Sequence, residues 1–277
     1  VTSITRTVDG NPVFDTRYGY DAAGRVGNIA HTRAGDLQPF TSHQYSYDLA
    51  HRISEQTTNH DTSIAALSQA SATNTETFNF DLAGQLTGDD DGTYTYDDNG
   101  NRTDSSFVVG EHNRLTEDAD YTYQYDNEGN LTRRDSKVGT AYTTYQWDHH
   151  NRLVGVYHAY ASDSFAPPLT YRYNAQDQLV ARNYNFETDY YLHSGDQRVL
   201  ILDEEGDLKR RAIHGAIPDQ VLFDEAFDQL GQQTELYSLA GDHLQTTRAI
   251  LDETAQVVQT LDYNSFGEII DLRDETG

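Results

Sequence analysis

One phrase recurs along the chain and limits the folds open to it: two aromatic residues at alternate positions, an aspartate, and a turn-tolerant residue three places later. With the aspartates in register the copies read YGYDAAGRV (18–26), YSYDLAHRI (45–53), FNFDLAGQL (78–86), YTYDDNGNR (94–102), YQYDNEGNL (123–131), YQWDHHNRL (145–153) and YRYNAQDQL (171–179). A degenerate copy, FVVGEHNRL, lies at 107–115. The aspartate column, Asp21, Asp48, Asp81, Asp97, Gly110, Asp126, Asp148 and Asn174, advances by 27, 33, 16, 13, 16, 22 and 26 residues. A tight phrase at irregular intervals points away from a solenoid of identical coils and toward hairpins joined by loops of variable length.

Each column has a physical reading. The pairs Tyr18 and Tyr20, Tyr45 and Tyr47, Phe78 and Phe80, Tyr94 and Tyr96, Tyr123 and Tyr125, Tyr145 and Trp147, and Tyr171 and Tyr173 alternate, so each pair shares one face of a strand and can stack across to neighbouring strands. The Asp or Asn that follows ends the strand, because its short side chain accepts a hydrogen bond from the backbone two residues on. Three places later stand Gly24, Gly84, Gly100 and Gly129, or His51, Asn113, Asn151 and Asp177. All but His51 are types that tolerate positive φ. A long or polar residue comes next, and then an apolar one returns (Val26, Ile53, Leu86, Leu115, Leu131, Leu153, Leu179), with Arg102 the exception. Strand, five-residue turn and returning strand make a β-hairpin. The segment 61–75, DTSIAALSQASATNT, reads as a loop or short helix inserted near 60–76.

Composition agrees with thin layers. Twenty Tyr and ten Phe stand beside 20 Gly and five Pro, at a mean hydropathy of −0.75. Lys and Arg total 19 against 45 Asp and Glu, and a net charge of −26 repels a phosphate backbone, so no nucleic-acid partner is expected. The chain has no cysteine, which closes thiol chemistry without assigning a compartment. No apolar run approaches the ~20 residues of a membrane helix, so this segment is not expected to insert in a membrane. A start at Val1, no methionine and an end at Thr276-Gly277 read as a piece of a longer chain whose export signals lie elsewhere.

The string of YDxxGRL-like phrases over 18–179 resembles the YD repeats of the rearrangement-hotspot (Rhs) family. A second likeness lies in GDHLQTTRAILDETAQVVQTLDYNSFGEI, 241–269, which is similar to the family's D-H-L-G-S-x-R stretch leading to Y-x-P-F-G-E. The residues that carry it are Asp242, His243, Leu244, Arg248, Tyr263, Phe266, Gly267 and Glu268; Gln245-Thr246 stands for Gly-Ser and Ser265 for Pro. Residues 190–215 fit the family's intermediate hairpins, with Glu204-Glu205-Gly206 as the turn. The resemblance implies an all-β protein of consecutive antiparallel hairpins that form a curved or spiralling single-layer sheet, an arc of a hollow shell. It divides the chain into an array at 1–180 and continuing Rhs hairpins at 181–277, in one continuous architecture. In Rhs toxins, B and C components of insecticidal toxin complexes and teneurins, such sheets build shells. In the toxin members the shell encloses a C-terminal toxic domain behind a self-cleaving core that follows the FGE phrase, and that core is expected to lie C-terminal to Gly277.

Area supports an arc. About 200 residues at ~3.3 Å rise and ~4.8 Å spacing cover roughly 3,200 Å², a closed ball of about 16 Å radius, too tight for a domain whose radius of gyration alone is ~13 Å.

Candidate chemistry has plain counterparts. Eleven histidines invite a metal site, but the adjacent His149 and His150 sit in a turn and read as solvated. Asp89-Asp90-Asp91-Gly92 lacks the spacing of an EF-hand loop and reads as a charged hairpin turn. Asp242 and His243 lack a nucleophile motif, so packing within the sheet is their expected role. Catalytic residues, metals and cofactors are therefore all expected to be none. The reading is a non-catalytic wall segment of a secreted or cell-surface shell whose partners are the rest of that shell and an encapsulated or displayed toxin domain. The competing reading is an extracellular module that recognises carbohydrate or a partner protein through its aromatic rows.

Overall fold

The computed structural model describes residues 2–62, 73–104, 106–160, 166–215 and 220–274. Among them are 24 strands and no α-helix, the one described helical turn being a 3-10 turn at Glu111–Asn113. Six strands form a first sheet in chain order: β1 (Ser3–Val8), β2 (Asn11–Tyr20), β3 (Val26–Arg33), β4 (Thr41–Tyr47), β5 (Ile53–His60) and β6 (Thr73–Thr77). A small hairpin follows, β7 (Asn79–Phe80) with β8 (Leu86–Gly88).

The remaining strands form a 16-stranded sheet in which each strand again lies beside its sequence neighbours. They are β9 (Val108–Val109), β10 (Leu115–Glu117), β11 (Tyr121–Tyr125), β12 (Leu131–Ser136), β13 (Tyr142–Trp147), β14 (Leu153–Ala159), β15 (Leu169–Tyr173), β16 (Leu179–Tyr184), β17 (Glu187–Ser194), β18 (Gln197–Leu202), β19 (Leu208–His214), β20 (Val221–Phe227), β21 (Gln233–Gly241), β22 (Thr247–Leu251), β23 (Val257–Tyr263) and β24 (Ile269–Asp274). The order begins at β9 and ends at β24, so the sheet is open and does not close into a barrel.

The loop or short helix expected over 61–75 needs correcting at its end. Residues 73–75 belong to β6, where Thr75 faces Thr57 with their hydroxyls 3.1 Å apart, because threonines pair well on a pleated surface. Residues 63–72 of that expectation lie outside the described residues.

Two compact units emerge, Val1–Gly92 with Arg210–Gly277, and Thr93–Lys209. The first has a core in which Val13, Phe14 and Phe40 pack with Ala240, Ala249, Leu251 and Val257, so its N-terminal sheet is backed by β21 to β23. In the second, the described non-glycine side chains that are buried are Thr143, Ala159, Ala181 and Tyr191, few, as a wall one layer thick requires.

The hairpins share one irregularity. The register slips at the second aromatic, so that Tyr20 faces Val26, Tyr47 faces Ile53, Phe80 faces Leu86, Tyr125 faces Leu131, Trp147 faces Leu153 and Tyr173 faces Leu179. Such bulges bend a strand and increase its twist. The five-residue turn is closed by two backbone bonds, as at Asp21, whose N–H donates to Arg25 O (2.9 Å) and whose carbonyl accepts from Gly24 (3.0 Å). The residue three places after the aspartate is left-handed even where it is not glycine, with His51 at φ 66°, Asn151 at 58° and Asp177 at 61°.

That conformation yields a matched pair of tests. Gly206 has φ +89° and Gly92 lies outside the left-handed region, yet a Cβ at either would meet nothing within 4 Å. Denaturant unfolding is expected to show Gly206→Ala destabilised by about 1–2 kcal/mol. Gly92→Ala should be neutral or up to about 1 kcal/mol more stable.

Candidate functional site

The shared geometry of the turns starts at one carboxylate. Asp21 Oδ1 accepts the N–H groups of Ala23 and Arg25, both at 2.9 Å, and its Oδ2 takes Arg25 Nε at 2.6 Å. Asp48 does the same with Ala50 and Arg52, and Asp148 with His150 and Arg152. Where asparagine follows, Asn101 and Asn130 donate Nδ2 to Asp97 and Asp126. At Asn174 the polarity is inverted, Nδ2 donating to Gln178 Oε1. These donors favour the ionised acid: the Arg25 side chain, then its backbone N–H, holds Asp21 below the usual carboxylate range, and the Arg152 side chain does so for Asp148.

The residue four places after the aspartate also reaches the next hairpin. Arg52, Arg114 and Arg152 donate Nη1 to the carbonyls of Asp81 (2.9 Å), Asp126 (3.0 Å) and Asn174 (3.1 Å). Asn101 and Asn130 reach Asn113 Oδ1 and Asn151 Oδ1 instead. The guanidinium planes lie over the next copy's second aromatic: Arg25 over Tyr47 (4.2 Å), Arg52 over Phe80 (4.6 Å), Arg114 over Tyr125 (5.7 Å) and Arg152 over Tyr173 (5.0 Å). The aromatic answers by donating back to the preceding hairpin, Tyr47 to Val26 O (2.7 Å), Tyr125 to Leu115 O (2.7 Å), Trp147 to Leu131 O (2.8 Å) and Tyr173 to Leu153 O (2.9 Å). The expected stacking of these second-column tyrosines on one another is thus replaced by arginine on aromatic, since a planar guanidinium covers a ring while its edge still donates in-plane bonds.

The first aromatic column is less uniform. Tyr45 is buried, Tyr123 donates its hydroxyl to Asp118 Oδ2, and Tyr18, Phe78, Tyr145 and Tyr171 are half-buried. The copy YTYDDNGNR shrinks to one bridge, Tyr96 with Arg102, between the Asp89–Gly92 turn and Asp104. Its Arg102 lies 4.7 Å from the Tyr94 ring and 5.0 Å from Phe107 while pairing with Asp104.

Five further turns obey the same rule without the aromatic phrase. Asp203, Asp228, Asp242, Asp252 and Asn264 each accept on Oδ1 the N–H four residues on, with Gly206, Gly231, Gln245, Ala255 and Gly267 left-handed. Of these, sequence reasoning found only the turn at 204–206. For Asp228 and Asn264 the signal available was an Asp or Asn three places before a Gly, as in DQLG and NSFG, whereas Gln245 and Ala255 deny it to Asp242 and Asp252.

Around Asp242 the DHL stretch meets the N-terminal sheet. Asp242 is 1% exposed and pairs with Arg248 Nε at 2.8 Å, and Arg248 lies 5.0 Å from the Tyr263 ring. Arginine here comes from two positions later than in the other turns and recreates the same carboxylate, guanidinium and aromatic stack. Leu244 and Phe266 are exposed, Gly267 has φ +82°, and Glu268 takes Asn264 Nδ2 at 3.1 Å. His243 donates its backbone N–H to Tyr45 Oη (3.4 Å) with the rings 4.6 Å apart, and burial lowers its pKa.

A buried polar file that the sequence did not reveal runs beside it. Arg6 donates to Thr16 Oγ1 (2.7 Å), which leaves the Thr16 hydroxyl to donate to His31 Nδ1 (2.9 Å) and assigns the His31 proton to Nε2, 3.1 Å from Gly241 O. The His43 ring centroid stands 6.3 Å from that of His31; His43 bonds Thr58 Oγ1 through Nδ1 at 3.1 Å and has a buried Nε2 without a partner among the described residues. His149 and His150 lie in an exposed turn with rings 4.2 Å apart, and Asp89 Oδ1 caps its own turn through Asp91 and Gly92. Among the described residues no group of three or more metal-ligating side chains gathers, and no helix is long and apolar enough to cross a membrane.

Consecutive hairpins locked side by side by turn carboxylates define a repeat protein that builds sheet walls. The teneurin YD-shell model matches residues 36–273, and the chain belongs to that family. Among solved structures, the Photorhabdus luminescens Tc holotoxin pore shares 12% identity at a TM-score of 0.42, with 99% of this chain and 18% of that one covered. TcdB2–TccC3 without its hypervariable C-terminal region shares 12% at 0.34, covering 99% and 18%. A porin-like protein from Bacteroides uniformis shares 10% at 0.24, covering 89% and 93%. The chain therefore spans less than a fifth of the first two. No curated protein matches it.

The buried histidines give a pH test. Burial, with Arg248 adding to it, pushes His43 down to about 3 from 6.5, and burial lowers His31 in the same direction. The unfolded chain then binds protons that the folded chain refuses, so stability is full above pH 6.5 and falls as pH drops toward 3. Urea unfolding between about pH 6.5 and 4.5, above the carboxylate range, is expected to show this slope, and His43→Gln should flatten it. An unchanged slope in the variant would contradict the assignment.

Proposed function

We propose that this chain is a non-catalytic wall segment of an exported YD-repeat shell whose parent encloses or displays a C-terminal toxin domain. The observation that carries the reading is the locking of each hairpin to the next. Arg25, Arg52, Arg114 and Arg152 all touch both their own turn or strand and the following hairpin, and their guanidinium groups lie over Tyr47, Phe80, Tyr125 and Tyr173, four of the rings on which a glycan could stack. A hydrolytic role for His243 has little support, because its ring lies against Tyr45 and the neighbouring Asp242 is held by Arg248 and the turn. The array to residue 180 and the hairpins from 181 act as one architecture, with the rest of the parent shell and the enclosed domain as partners and a secreted or cell-surface location.

Limited proteolysis of the parent protein tests this. The domain that follows the repeat shell is expected to resist protease in the intact protein and to be digested once the shell is opened by denaturant. Digestion at the rate of the same domain expressed alone would contradict enclosure.

A further inference from the structure

The arginine at Asp242 differs from its counterparts in the donors it leaves unused. Arg25, Arg52 and Arg152 give both Nε and Nη2 to their aspartates, and Nη1 to a group of the next hairpin. Arg248 gives Nε to Asp242 and its face to Tyr263, and its two Nη groups have no protein partner among the described residues. Arg248 lines a cleft within the first unit, between the end of the N-terminal sheet and the last hairpins, with a lobe of about 600 Å³ and an adjoining lobe of about 210 Å³. The volume of the larger lobe is in the range of ligand sites.

The lobes differ in chemistry and meet at Gln56, Glu76, Arg248 and Tyr263. The larger has an apolar wall of Ile53, Phe78, Phe80 and Leu86. The smaller is lined by Asp262, Asp271 and Arg273, where the arginine bonds both aspartates. Across the two lobes four carboxylates, Asp242, Glu76, Asp262 and Asp271, face two guanidinium groups, Arg248 and Arg273. Glu76 has neither an ion pair nor a hydrogen-bonded side chain among the described residues, and burial pushes its carboxyl up, with Arg248 opposing. A half-buried carboxylate without a direct ion pair favours a cation, the apolar wall favours a hydrophobic side chain, and the free Nη groups favour a carbonyl.

We propose that this cleft binds a short extended peptide segment of a partner protein, with an apolar side chain in the larger lobe, a backbone carbonyl on Arg248 and an adjacent lysine or arginine at Glu76. The site is independent of whether the parent shell encloses a toxin. It would add recognition to a segment otherwise devoted to wall building.

Titration calorimetry of the 277-residue chain with acetyl-Ala-Phe-Lys-Ala-amide and acetyl-Ala-Phe-Glu-Ala-amide tests it. The lysine peptide is expected to bind saturably, more weakly at high salt, and at least about tenfold more tightly than the glutamate peptide, the size of one charge-assisted bond. Glu76→Gln should weaken the lysine peptide by about the same factor while leaving the glutamate peptide no weaker. Equal binding of the two peptides by the unmodified chain, or binding of neither, overturns the proposal without recourse to a variant. So does maltohexaose binding that Glu76→Gln abolishes while neither peptide binds, which would assign the cleft to carbohydrate.

Discussion

The repeated turns of this wall depend on a carboxylate, or its amide equivalent, that closes a five-residue turn and orients the side chain at its far end. Oδ1 of Asp21 satisfies two backbone N–H groups at once and fixes the left-handed step at Gly24. Oδ2 then holds the Arg25 fork so that its face meets Tyr47 of the next hairpin. Turn closure and lateral packing are therefore one interaction, and a sheet a single layer thick gains lateral order without a continuous apolar core. Exposed ion pairs contribute little singly, but here each guanidinium also covers a ring and donates to a neighbouring strand or turn, so several weak terms act at one place.

The first unit adds a second principle. There the N-terminal sheet does meet other strands, through Phe14, Phe40, Ala240 and Leu251, and polar residues are drawn inside with them. Arg6, Thr16 and His31 are tolerable in that interior because each is tied to the next by a hydrogen bond, the file ending at Gly241 O. Arg6 Nε and His43 Nε2 are buried without a hydrogen-bond partner among the described residues, and the buried His43 imidazole makes this packing sensitive to protons.

Turn chemistry was legible because it is local. Asp97, Gly100 and their equivalents declare themselves within five residues, and the all-β class follows from their repetition. The turns at Asp228 and Asp252 stayed hidden because the repeated phrase announces itself through its aromatics. Their strands end in Phe227 and Leu251, where the phrase has lost its first or both aromatic positions while the aspartate rule persists. The lateral role of Arg52 or Asn130 could not be read from one copy, since it depends on where the bulge of the next hairpin puts its ring or turn. His31 gave no signal either: its partner Gly241 is 210 residues away. Thr73 to Thr75 were drawn into a strand by pairing with β5, which outweighed the weak local preferences of that segment.

Hydrogen exchange on Arg152→Gln tests most directly the claim that one side chain closes its own turn and locks the next. Arg152 bonds Asp148 in its own turn and the carbonyl of Asn174 in the following one. Faster exchange is expected at the amides of position 152 and His150, which rest on Asp148, and also of Gln178 and Gln176, which rest on Asn174. Faster exchange confined to residues 148–152, with 174–178 unchanged, would contradict it.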